Sequence, residues 1–386
     1  MWAKSVRYLD YNATSGIPVS VRNKLTEILG RSDFYFANPS SQHRLGQQSQ
    51  QMLLKAGMKI ASSLGEKVDS KQLVFTSSGT EANQTVIRSA FEYADAIIIG
   101  AGEHSASYDL ISEVPSGIRT HELPLLSNGQ YDFEFLQELL SDVKQSGCSK
   151  VFLSLFWANN ETGVLTSLEK LGTVLRSSGL ETSLHLDGAQ VWGKLEIDLF
   201  KTPANYVTFS SHKIGAPAGT GLIWVRPQSY LKPLLLGSQS SGLRGGTENL
   251  LSILALSFAV EELNPSHFIA NTLQLREHLE KSSLPIKVWG LESDRISNTC
   301  RMSIPGFSAY ENWVELLDLR GFAVSHGSAC KSKVIEPSRV LTKMGASSGE
   351  ALNAIRVSFG PTTQLTDVNE FIMAFQAILS EKRGRS

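Results

Sequence analysis

The chain has 386 residues, with 36 basic and 37 acidic side chains and a formal net charge of −1. Hydrophobic residues make up 41%, which is enough for a packed core and excludes an intrinsically disordered chain. The balanced charge excludes a generic basic surface for nucleic acid or anionic membrane, because both demand concentrated Lys and Arg.

The three cysteines, Cys148, Cys300 and Cys330, are too few for a disulfide scaffold and lack the CxxC spacing of a zinc site. Their odd number fits a reducing compartment. The N-terminus reaches Asp10 without an apolar run, so no signal peptide is expected. The most apolar stretch, Leu250 to Val260, is about half of the roughly 20 residues that cross a bilayer. The expectation is a cytoplasmic protein without a membrane or nucleic-acid partner and without a metal.

In chain order, helices are predicted near 46–64, 80–94, 132–146 and 166–178. They alternate with strands at 72–76, 96–99, 150–156, 183–187, 206–210 and 221–225. Most of these strands are continuous apolar runs, as expected when both faces are covered. Alternation of this kind indicates βαβ units and a mainly parallel sheet in an α/β fold. After residue 262 the texture changes to helices near 247–263 and 267–282, then strands at 285–289, 299–304, 322–325 and 355–359. Helices near 309–319 and 365–380 accompany them, which reads as a smaller α+β domain.

Several strands end in polar residues, and in open α/β sheets ligands sit beyond those carboxyl ends. Ser210-Ser211-His212-Lys213 closes one strand. A lysine there can be desolvated, which lowers its pKa and favours a Schiff base with an aldehyde, although it also fits a plain surface lysine. Thr76 to Asn83 runs from a strand into a helix through a Ser/Gly/Thr turn, either an anion cradle or an ordinary N-cap. His185-Leu186-Asp187 ends another strand in a carboxylate that could pair with a protonated ring nitrogen. His104, also past a strand end, could stack on such a ring. Cys330 lies among small residues close to Lys331 and Lys333, where positive charge favours the thiolate; Cys148 and Cys300 lack such a context. Arg356 interrupts an apolar strand and needs an anionic partner, either a structural carboxylate or one on a substrate. A Ser-His-Asp hydrolase using Ser210 or Ser211, His212 and Asp187 is disfavoured, since no G-x-S-x-G elbow is present.

Taken together, these motifs resemble the cysteine desulfurases of the class V aminotransferase group, which are fold type I pyridoxal-phosphate enzymes. The resemblance runs from Tyr8-Leu-Asp-Tyr-Asn-Ala-Thr14 to the last helix. It includes Asn38-Pro-Ser-Ser, the TSSGTEAN turn, Asn159-Asn-Glu-Thr-Gly163, HLDGAQ, SSHK, Arg244-Gly-Gly-Thr247 and the Gly327-Ser-Ala-Cys330 loop. It implies a large cofactor-binding domain over 15–262 with a mainly parallel seven-stranded sheet. A small domain formed by 1–14 with 263–386 would carry the catalytic cysteine.

By resemblance, Lys213 would hold pyridoxal 5'-phosphate and move the Cα proton. Gly79, Thr80, Ser210 and His212 would bind the phosphate, and Thr247 would reach the phosphate of a partner subunit, making a homodimer part of the site. Asp187 would pair with the pyridine nitrogen, Gln190 with the phenolic oxygen, and His104 would stack on the ring. Asn160 would contact the cofactor and, with Asn38 and Arg356, orient the substrate carboxylate. Cys330 would take the sulfur of L-cysteine as a persulfide, release alanine and pass the sulfur to an acceptor such as an iron–sulfur scaffold or sulfur carrier. A selenocysteine lyase or an aminotransferase of the same fold is the alternative. The Gly237 to Gly242 segment and His326 depart from the family's usual pattern.

Overall fold

A computed structural model describes residues 6–32, 35–307, 311–327 and 336–384. Its strands, in chain order, begin with β1 (Arg7–Tyr8), β2 (Leu73–Thr76), β3 (Ala96–Gly100) and β4 (Arg119–Leu123). They continue with β5 (Lys150–Phe156), β6 (Glu181–Asp187), β7 (Tyr206–Ser210) and β8 (Gly221–Val225). The last four are β9 (Lys287–Val288), β10 (Thr299–Ser303), β11 (Phe322–Ala323) and β12 (Ala354–Ser358).

Seven strands form one sheet in the order β2-β8-β7-β6-β5-β3-β4. Only β8 runs against its neighbours, so the mainly parallel sheet expected from the alternation is present. The apolar runs have their explanation in the two covers. Alternate residues such as Ile98, Leu153, Leu184 and Val207 pack into one core with Ile60, Leu140, Leu171 and Leu256 from overlying helices. The intervening Ile97, Ile99, Phe152 and Tyr206 pack on the other face against Val86, Ile87 and Ala90. With no face left to solvent, a strand has no reason to alternate.

The helices on these faces are α1 (Val19–Gly30), α2 (Arg44–Ser62), α3 (Gly79–Ala90), α4 (Ser105–Tyr108), α5 (Phe133–Gln145), α6 (Leu168–Ser178) and α7 (Leu250–Glu261). Among the elements that the sequence reading does not contain, two have plain physical reasons. Strand β4 lies at the sheet edge with its first residues exposed, so it has no apolar run. Helix α1 buries only Val21 and so carries no apolar stripe.

The remaining helices are α8 (Pro265–Glu280), α9 (Trp313–Asp318), α10 (Arg339–Lys343), α11 (Ser348–Leu352) and α12 (Leu365–Arg383). A second, three-stranded antiparallel sheet has the order β12-β10-β9. Its separate core joins Leu275 and Leu279 of α8 with Trp313 and Leu317 of α9 and Phe371 and Phe375 of α12. Leu9 enters this core, and β1 pairs in parallel with β11, so the chain's beginning packs among its last hundred or so residues. Helices α10 and α11 instead contribute Val340, Leu341 and Ala351 to the core of the large sheet. No helix among the described residues is long and apolar enough to cross a membrane.

One close approach near the site depends on a glycine. A Cβ on Gly100, the last residue of β3, would overlap the ring and hydroxyl of Tyr131, itself fully buried. That hydroxyl donates to Glu103 Oε1 at 2.7 Å and accepts from the Phe156 amide at 3.3 Å. Gly100→Ala should therefore destabilise the protein by about 2–3 kcal/mol, as overpacking with lost hydrogen bonds does. Denaturant unfolding at equilibrium measures it, and an unchanged midpoint would contradict this packing.

Candidate active site

The carboxyl ends of β2, β6 and β7, together with the loops after β3 and β5, open onto one cavity of about 650 Å³. Asp10, Asn12 and Ala13 from the N-terminal segment, Val324 to Gly327 and Arg356 close its other side. Both sheets therefore contribute to one site. Among the residues expected from sequence, Gly79, Thr80, His104, Asn160, Asp187, Gln190, Ser210, His212, Lys213 and Arg356 all line it.

Lys213 ends the single turn that follows β7. Its Nζ donates to the main-chain oxygens of Asn12 at 2.6 Å and Ala13 at 2.8 Å. Burial and the nearby Arg356 charge lower its pKa to about 8, with Asp187 and Asp10 opposing the shift. A substantial fraction of unprotonated amine is thus present near neutral pH, as attack on an aldehyde requires.

Asp187 is held by a chain of hydrogen bonds that runs back into the sheet. Its Oδ2 accepts from Asn83 Nδ2 at 2.7 Å and its Oδ1 from the Ala189 amide at 2.9 Å. Asn83 Oδ1 accepts from the Thr208 hydroxyl, so Thr208 must accept from His185 Nε2, 2.9 Å away. His185 Nδ1 in turn accepts from Ser154 at 2.9 Å. Burial lowers the His185 pKa to about 4, so one tautomer of the neutral ring satisfies the chain. Asn83 and Thr208 were not singled out from sequence. The visible signal was period: Asp187 and His185 share one face of β6, and Thr208 lies in register with Asp187 on β7.

The anion cradle is built at the start of α3. Ser78 caps the helix by accepting from the Glu81 amide at 3.1 Å, leaving the first amides, at Gly79 and Thr80, without intrahelical acceptors. A Cβ on Gly79 would come within 3.1 Å of Ser210 Cβ, so glycine lets the two strand ends approach. His212 adds a ring whose pKa is lowered to about 4 by burial and by Lys213, leaving it neutral. His104 Nδ1 accepts from the Ala106 amide at 3.1 Å, which puts the proton of the neutral ring on Nε2. The residue is exposed and lines the cavity, and partial desolvation by the surrounding groups lowers its pKa.

Arg356 has a structural carboxylate. Its NH2 donates to Asp10 Oδ1 at 2.7 Å and its NH1 to the carbonyls of Asn160 at 2.9 Å and Gly327 at 3.2 Å. Buried Arg301 donates to His326 O at 2.6 Å and pairs with Glu161 at 3.2 Å, and Glu161 also accepts from Ser338 Oγ at 2.6 Å. Residues 326 and 338, on either side of the segment with Cys330, are thus tied to one ion pair. Arg301 and Glu161 escaped the sequence reading because only tertiary contact brings them together.

Two expected residues, Asn38 and Thr247, are absent from the lining, and a third, Cys330, is outside the described residues. Asn38 is exposed and outside the cavity lining, its Oδ1 accepting from the Ser40 amide at 2.9 Å. Thr247 is also exposed and away from the cavity of its own chain. Of the other cysteines, Cys300 is fully buried and its thiol pKa is pushed up by burial, so it is a poor nucleophile. No metal-ligand cluster exists among the described residues.

The donor set fits pyridoxal phosphate: free helix amides, a hydroxyl and an imidazole for a phosphate, a fixed carboxylate for a ring nitrogen, and a desolvated lysine for the aldehyde. The cavity is also of cofactor size.

Comparison with known proteins agrees. The sequence model of the aminotransferase class-V family matches residues 7–371. A cysteine desulfurase of Cereibacter sphaeroides is 33% identical, over 98% of this chain and 97% of its own. The cysteine desulfurase NifS of Azotobacter vinelandii is 32% identical over 98% of this chain and 94% of its own. Among solved structures, a NifS-like protein from Rickettsia africae superposes with a TM-score of 0.86 at 30% identity, covering 97% of this chain and 99% of that one. The chain belongs to the class V aminotransferase family, fold type I and dependent on pyridoxal phosphate, and within it to the cysteine desulfurases.

The Lys213 environment makes a measurable prediction. The amine reacts unprotonated, so the rate of pyridoxal-phosphate capture by apoprotein should rise with pH up to about 8 and level off above it. Stopped-flow absorbance checks this; a rate still climbing beyond pH 10 would mean an ordinary lysine.

Proposed function

We propose that the chain converts L-cysteine to L-alanine, with the sulfur taken as a persulfide on Cys330 and handed to an acceptor in iron–sulfur cluster assembly or thio-cofactor synthesis. The observation that carries this reading is the desolvated amine of Lys213 and the fixed carboxylate of Asp187 facing one cavity, a short chain length from Cys330. When bound, pyridoxal phosphate supplies a carbonyl carbon for the substrate's amino group and an electron-withdrawing ring that stabilises the Cα carbanion.

The residues divide the remaining work. The amides of Gly79 and Thr80, with Ser210 and His212, hold the phosphate. Asp187, its orientation set by Asn83, would keep the ring nitrogen protonated, while Gln190 would donate to the phenolic oxygen and His104 would stack on the ring. Lys213 Nζ takes the Cα proton of the substrate and returns it, a task suited to a pKa of about 8. Arg356 and Asn160, which line the cavity, would orient the substrate carboxylate; Asn38, expected from the resemblance to join them, stands outside the lining in this structure. The Cys330 thiolate attacks the substrate sulfur: an S–S bond forms, the C–S bond breaks, and the carbon side leaves as alanine after protonation. Cys330 follows Gly327, a cavity residue, by three positions in the sequence.

We read the chain as a homodimer of two-domain subunits, divided as 15–262 and 1–14 with 263–386. The separate core around β10 and β12 supports the division. Thr247, exposed and remote from its own cavity, supports a site shared between subunits, and so do exposed Leu54, Met58 and Leu234 to Leu236. A solved relative named SspA in complex with cysteine, 25% identical with a TM-score of 0.76 over 93% of this chain and all of that one, favours cysteine as substrate. A reducing cytoplasm would keep Cys330 free for each turnover.

Two variants test the assignment. Lys213→Ala should lose the visible absorbance of the covalently loaded cofactor. Cys330→Ala should keep that absorbance and its change on adding L-cysteine, while alanine and sulfide release falls on the order of a hundredfold or more. Wild-type sulfide release by Cys330→Ala under reductant would refute the persulfide route.

A further inference from the structure

We infer that Lys194 is a positioning residue for the cofactor: its buried side-chain amine orients Gln190 so that the amide N–H, rather than the amide oxygen, faces the cavity. The inference rests on the reading above that Gln190 contacts the cofactor ring.

Lys194 is 4% exposed and does not line the cavity; it stands behind Gln190, which does. Its Nζ donates to Gln190 Oε1 and to Asn12 Oδ1, each at 2.7 Å. An ammonium has three donors and no acceptor, and even a neutral amine offers two N–H bonds for these two oxygens. Both amides are therefore held with their oxygens towards the lysine. Flipping Gln190 would set its oxygen against the Asn12 carbonyl and its NH2 against the lysine N–H, leaving buried polar groups unsatisfied. In the observed orientation Gln190 Nε2 donates one N–H to Asn12 O at 3.1 Å and keeps the other free for an acceptor in the cavity. Asn12 is set the same way: its Oδ1 also accepts from Asn298 at 3.1 Å, and its Nδ2 donates to Thr299 Oγ1 at 2.8 Å.

Lys194 has no carboxylate partner among the described residues. Burial and the charges of Lys213 and Arg356 push its pKa well below the usual lysine range. A lysine kept there without an ion pair is a poor choice for stability alone. What it supplies at these distances is two N–H donors aimed at two amide oxygens, and those settle the direction of both amides.

The test is titration of apoprotein with pyridoxal phosphate, followed by visible absorbance. Lys194→Met keeps length and volume but no donor; it should bind about tenfold more weakly, the equivalent of one lost hydrogen bond, with a displaced absorbance maximum. Lys194→Arg, which keeps two N–H bonds, should restore much of both. Because Lys194 acts through Gln190, the double variant with Gln190→Ala should be no weaker than Gln190→Ala alone. Wild-type affinity and spectrum in Lys194→Met, or losses that multiply in the double variant, would overturn the inference while leaving the enzyme assignment intact. A Gln190→Ala variant with wild-type loading would remove the premise that Gln190 touches the ring, and the inference with it. Should Lys194→Met fail to fold, Gln190→Glu keeps the lysine contact but loses the cavity-facing N–H; loading should again weaken about tenfold, and unchanged loading would refute the proposal.

Discussion

The architecture of the site depends on Asn12, a buried residue in a short N-terminal segment. Its main-chain oxygen accepts from both Lys213 and Gln190, and its side chain meets Lys194, Asn298 and Thr299. Its amide donates to Ser358 Oγ at 2.9 Å, at the end of β12. One residue thus joins the carboxyl ends of the large sheet to the small sheet and to the reactive lysine. Apart from half-buried Lys213, the polar residues in this knot are buried, so each lost partner leaves another unsatisfied, and the arrangement is steep-sided rather than adaptable.

Charge in the cavity is arranged by desolvation more than by pairing. Lys213, His104 and His212 all have lowered pKa values, with burial as the largest cause. Neutral donors and a partly neutral amine are what an anionic phosphate and an electrophilic aldehyde require together, since a fully protonated lysine would bind but not react. Where full charge is kept, at Arg356 and Arg301, carboxylates of Asp10 and Glu161 face it. The two arginines also hold the main-chain oxygens of His326 and Gly327, and Glu161 accepts from the Ser338 hydroxyl on the far side of the segment that bears Cys330.

Much of the fold was legible along the chain. Strands β5, β7 and β8 were readable to the residue because doubly covered strands write unbroken apolar runs bounded by polar ends. Strand β4 and helix α1 were not, because an edge strand and a helix burying one valine leave no pattern. In the site, the lysine, the carboxylate and the anion cradle could be found from their positions just beyond strand ends. The partners that orient them could not. Asn83, Thr208 and Lys194 are ordinary residues whose roles arise from 2.7–2.9 Å contacts to residues up to 182 positions away.

Residue types and their order by themselves determined the α/β class, the two-part texture and the chemistry on offer, because periodicity and strand-end polarity are local properties. Only the tertiary structure decided that Asp10, Asn12 and Arg356 face Lys213 across one cavity, that Arg356 is already paired, and that a buried lysine stands behind Gln190. Those facts depend on hydrogen-bond direction and on burial, which exist only once distant segments have packed.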